Sequence, residues 1–166
     1  MIQLFRQCRQ ILCQLLEFAL ILAVLVLVLD VLWGVFTRYT MGEQAKWSEE
    51  LARFLLIWVS LLGGAAAFGE KAHLGVDYFV GLLHPKSQKM LTVFTLLLIL
   101  VFAVTIFIYG GVRMVLDNLG QTTPALLWKM GHVYLALPIS GIFIIFFTVE
   151  QLLETLTKKE TDKEER

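Results

Sequence analysis

The stretch WSEELARFLLIWVSLLGGAAAFGEKAHLGVD, Trp47 to Asp77, decides how this chain folds. It opens on Glu49, Glu50 and Arg53 at the mouth of an apolar helix, passes through an unbroken run of small residues from Gly63 to Ala67, and ends in the polar pair His73 and Asp77. With Trp47 to Glu50 counted as a first turn, the apolar middle is long enough to cross a bilayer. Both of its ends carry groups that lipid does not tolerate unaided.

The rest of the chain agrees. Of 166 residues, 58% are hydrophobic, and 14 basic side chains balance 14 acidic ones. The mean hydropathy is +0.75. This is too apolar and too poor in charge for a soluble domain of this size, and it predicts an all-α integral membrane protein. Zero net charge leaves no basic face to neutralise phosphates, which argues against a nucleic-acid partner. Cys8 and Cys13 match neither a redox pair nor a zinc spacing and are read as free thiols near a cytoplasmic N-terminus. No small-residue cleavage site follows the first apolar run, so it is expected to stay as a span.

Apolar runs at Leu15 to Phe36, Leu51 to Phe68, Leu91 to Val112 and Val133 to Val149 give four expected transmembrane helices, over about 15–38, 48–69, 88–112 and 131–153. The segment 74–83 holds apolar residues together with Asp77 and Gly81, is too short to span, and suits a short amphipathic helix in the membrane interface between the second and third spans. Residues 1–153 are thus expected to form a single membrane domain and 154–166 a charged tail. Lys and Arg favour one side: Arg6, Arg9, Lys71, Lys86, Lys89 and the tail against Arg38, Lys46, Arg53, Arg113 and Lys129. That bias puts both termini in the cytoplasm.

Several polar groups need an account. Asp30 lies within the first span, where a carboxylate costs roughly 2.5–3.5 kcal/mol on insertion scales, so it should face protein, pair with a cation or stay protonated. Arg53 on the neighbouring span is the obvious partner. Ser48 suits an N-cap, and Arg53 can bridge Glu49 or Glu50 on the helix surface. Gly63, Gly64 and Ala67 form a face for close packing, against another span or another subunit alike. His73 and Asp77 lack a third ligand and read as a hydrogen-bonded pair fixing a turn, not as a metal site. Pro85 is suited to start the third helix, Gly110 and Gly111 offer a second packing point, Arg113 should pair with Asp117, and Pro138 should open a hydrogen bond near Tyr134.

Neither a nucleophile with its base, a metal set, GxGxxG, Walker A nor HExxH is present, so no catalytic residue, cofactor or metal ligand is assigned. Two non-enzymatic classes remain. A small four-helix proton-coupled exporter could use Asp30, and a membrane subunit could bury its Gly/Ala face against a larger partner.

The order of these residues resembles the DctQ family, the small membrane subunit of tripartite ATP-independent periplasmic (TRAP) transporters. The resemblance is carried by Arg38 and Tyr39, then Trp47, Ser48, Glu49, Glu50, Ala52 and Arg53, then Leu62 and Gly63, then His73, Val76 and Asp77, with echoes in QTTPAL and in Tyr134 to Pro138. It implies a bacterial inner-membrane protein that braces a large DctM-type membrane subunit during sodium-driven, binding-protein-dependent uptake of an organic acid-type solute. Implied partners are that subunit, a periplasmic substrate-binding protein and membrane lipids. Sodium coupling would reside in the large subunit. Arg38, Trp47, Glu49, Glu50, Arg53, Gly63, Gly64, Ala67, His73 and Asp77 would then serve interface and structure.

Overall fold

A computed structural model describes residues 2–43, 45–70 and 85–164. The expected interfacial helix at 74–83, with His73 and Asp77, lies outside the described residues. The helices are α1 (Ile2–Met41), α2 (Lys46–Gly69), α3 (Pro85–Phe102), a π-helical segment (Ala103–Gly110), α4 (Gly111–Asp117), α5 (Met130–Tyr134) and α6 (Ala136–Glu164). They supply four helices long and apolar enough to cross a membrane, Arg9–Met41, Lys46–Gly69, Ser87–Asp117 and Met130–Leu156. The chain is an all-α, four-span protein.

Local chemistry sets the breaks. Gly42, at φ 77°, ends α1 in the left-handed region that glycine enters without a Cβ penalty. Pro85 takes the first position of α3, where its missing N–H is not needed. Pro138 cannot donate to Tyr134, and the last span is divided at Leu135, between α5 and α6.

The last span is central. Of its apolar window 44% is buried, against 11% for the first and third, and it packs on both α2 and the third span. Phe147 is fully buried beside Leu16 and Leu62, and Ala65, Ala103 and Ile144 form a second cluster. Small residues permit the close approach: a Cβ on Gly141 would lie 2.6 Å from Phe107 Cβ, and one on Gly111 3.0 Å from Leu137 Cβ. The expected packing point of the third span is therefore Gly111, while Gly110 is exposed.

The first span is peripheral and packs along α2. Its covered positions other than Leu12, namely Arg9, Cys13, Leu16, Leu20, Ala23, Leu27, Asp30, Gly34 and Thr37, alternate in steps of four and three. That repeat is the seam of a left-handed helix pair.

Candidate functional site

The second span gathers most of the polar chemistry, and the two ends do different work. At its start, α2 begins at Lys46 behind Ala45, whose side chain offers no cap. Ser48 is therefore inside the first turn and does not cap it. It is buried, and its hydroxyl donates to the Asp30 backbone carbonyl at 3.1 Å, tying α2 to α1.

The expected Asp30–Arg53 pair does not form. Asp30 is 6% exposed, and neither carboxylate oxygen has a hydrogen-bond partner among the described residues. Arg53 instead meets Glu49 at 3.1 Å, with side chains 67% and 65% exposed. The reason is rotational. Asp30 faces the α1–α2 seam, whereas Glu49 and Arg53 share an uncovered face of α2 four residues apart.

Glu50 turns the other way, toward the loop between the third and last spans. Its Oε2 accepts the backbone N–H groups of Ala125, at 3.1 Å, and Leu126, at 2.7 Å. The loop is closed on itself as well. Thr123 N–H donates to Trp128 O at 2.8 Å, Trp128 N–H to Thr123 Oγ1 at 3.1 Å, and Met130 N–H to Gln121 O at 2.9 Å. Between these bonds Leu127 sits at φ 54°, a left-handed conformation that costs a residue with a Cβ about 1–2 kcal/mol. Its side chain is exposed, as is that of Trp128. Lys46, Trp47, Glu49, Glu50, Arg53, Pro124 and Ala125 line an open cleft of about 670 Å³ at this end.

At the far end, helix termination leaves backbone carbonyls without intrahelical donors, and lipid supplies none. Arg9 donates to Gly69 O through Nε, at 3.1 Å, and Nη2, at 2.8 Å. Gln151 Nε2 donates to Phe68 O at 2.9 Å. Arg9 Nε also lies 3.7 Å from Glu150 Oε2, so α1, α2 and α6 meet at one polar knot. Gly69 is required there, because a Cβ would fall 2.9 Å from Cys13 Sγ and 3.0 Å from Phe147 Cζ.

Of the small-residue run, Ala65 is buried inside the chain, Gly63 is half-buried with Leu20 3.9 Å from its Cβ position, and Gly64 and Ala67 are uncovered. Arg38 and Trp47 are exposed at the Glu50 end. No group of three metal-ligating side chains occurs among the described residues. The sequence reading missed the roles of Arg9, Gln151 and the Ala125 and Leu126 amides. The step-of-four-and-three pattern could have placed Arg9 on the seam, but amide donors in a loop leave no side-chain signature.

Residues 27–158 match the DctQ component of the tripartite ATP-independent periplasmic transporters. Similar proteins include a TRAP transporter small permease protein of Haemophilus influenzae, 29% identical over 123 residues that make up 74% of this chain and 76% of that protein. The sialic acid TRAP transporter small permease protein SiaQ of Vibrio cholerae is 25% identical over 124 residues, 75% of this chain and 71% of SiaQ. The sialic acid TRAP transporter permease protein SiaT of Haemophilus influenzae is 29% identical over 118 residues, 68% of this chain but 18% of that protein. The chain therefore belongs to the DctQ family and is a small permease subunit of a TRAP transporter.

Proposed function

We propose that this chain is a non-catalytic brace for a large DctM-type membrane subunit, and that the pair takes up an organic acid-type solute delivered by a periplasmic binding protein and driven by sodium. Sodium and solute are handled by the other components, this chain has no cofactor of its own, and both of its termini lie in the cytoplasm. The observation that supports the reading best is that the match to SiaT covers only 18% of that permease, so a segment like this chain occurs within one longer polypeptide. A fused arrangement fits a segment that works against its permease neighbour. The sialic acid in the names of two relatives fits an acidic solute.

The uncovered face of α2, with Gly64 and Ala67 below the Glu49–Arg53 pair, is the proposed contact with the large subunit. Co-expression with a DctM-type large permease subunit tests this. The wild-type chain is expected to co-purify with that subunit and to be required for sodium-dependent uptake in proteoliposomes. Gly64→Leu and Ala67→Leu are expected to weaken co-purification at least about tenfold, the effect of about 1.4 kcal/mol of lost packing, without lowering the melting temperature of the isolated chain. Uptake that proceeds without this chain refutes the brace. Proton-dependent export by this chain alone, lost in Asp30→Asn, would restore the exporter.

A further inference from the structure

The bonds at the two ends of α2 have a shared form: at each end a side chain meets main chain of a different element. At one end the helix supplies the acceptor, Glu50, and the loop after Pro124 supplies two successive N–H donors. At the other end the helix supplies the acceptors, Phe68 O and Gly69 O, and Arg9 and Gln151 supply the donors. A guanidinium at a helix C-terminus also complements the dipole. The Glu49–Arg53 pair joins nothing, since both residues belong to α2 and stand exposed.

The Glu50 end closes against strain. A non-glycine residue in the left-handed region persists where its surroundings over-determine it. Leu127 follows directly on the two amides that Glu50 holds. We propose that Glu50 is a latch that keeps the strained 121–130 loop closed on α2, and that latch and polar knot together make the four spans one rigid body, which uptake requires. This rests on the reading of the chain as a brace. Glu50 is then a positioning residue and meets no solute.

The test uses the full chain in complex with its large permease subunit, with hydrogen exchange of peptides covering 64–70 and 118–130 and solute uptake measured on the same preparations. Glu50→Ala is expected to speed exchange at Ala125 and Leu126 at least about tenfold, the equivalent of a lost charge-assisted hydrogen bond. Glu50→Gln keeps an acceptor oxygen and is expected to fall between Glu50→Ala and wild type, and Glu49→Ala, which removes no bond to either amide, to leave exchange at Ala125 and Leu126 at the wild-type rate. Arg9→Ala is expected to speed exchange at Glu70, whose N–H bonds Ala66 O at the same helix end. Across wild type, Glu50→Gln and Glu50→Ala, uptake should fall in the order in which exchange rises, with co-purification retained. Wild-type exchange in Glu50→Ala, or Glu49→Ala as severe as Glu50→Ala, overturns the latch. Faster exchange with undiminished uptake overturns the rigid-body requirement. A wild-type chain that neither binds a large subunit nor supports uptake overturns the brace instead, and the exchange series then judges the latch by itself.

Discussion

Asp30→Leu is expected to raise the melting temperature of the purified chain. The carboxyl group is buried with no hydrogen-bond partner among the described residues, so its removal breaks none of their bonds and relieves a desolvation cost of about 1–3 kcal/mol. Combined with Arg53→Gln in a double-mutant cycle, it should show coupling below about 0.5 kcal/mol, because the two side chains face different neighbours. A larger coupling would restore the pair that sequence spacing predicts. Leu127→Gly removes the left-handed penalty and costs chain entropy, for an expected net gain of up to about 1 kcal/mol in thermal unfolding. A loss on that substitution would mean that the exposed leucine side chain is itself held by something the isolated chain contains.

Helix packing makes graded demands on its glycines, and the grading can be measured. Gly141→Ala is expected to be the most damaging of the series, since its Cβ meets Phe107 Cβ at 2.6 Å, an atom fixed to the backbone. Gly69→Ala presses on Cys13 Sγ and the Phe147 ring at 2.9 and 3.0 Å and should cost about 1–3 kcal/mol. Gly64→Ala meets nothing within 4 Å and, with a better helix former, should hold or raise the unfolding temperature. The π-helical segment Ala103–Gly110 bears on the same contact, because it presents Phe107 to Gly141. Its wider turn shifts the register of the residues that follow relative to a continuous α-helix, which brings Gly111 against Pro138.

For the molecule as a whole, Arg9→Ala is expected to cost more than Arg53→Ala: about 1.5–3 kcal/mol for a charged donor joining three spans, against less than about 1 kcal/mol for an exposed pair within one helix. Equal losses in thermal unfolding would deny the knot its role. The amino-acid sequence by itself determined the class and the number of spans, because the hydropathy of Leu15–Phe36 or Leu91–Val112 is a local sum that needs no partner. It also placed the Arg113–Asp117 pair, which follows from helical spacing alone, but spacing offered Glu49 and Glu50 alike to Arg53, and only the structure chose Glu49. Only the tertiary structure decided that Ser48 serves Asp30's carbonyl, that Glu50 holds a loop 75 residues away, and that the last span is central. Those outcomes depend on helix rotation and on backbone donors and acceptors, which every residue type but proline carries alike, so the identity of a side chain cannot announce which main-chain group it will meet.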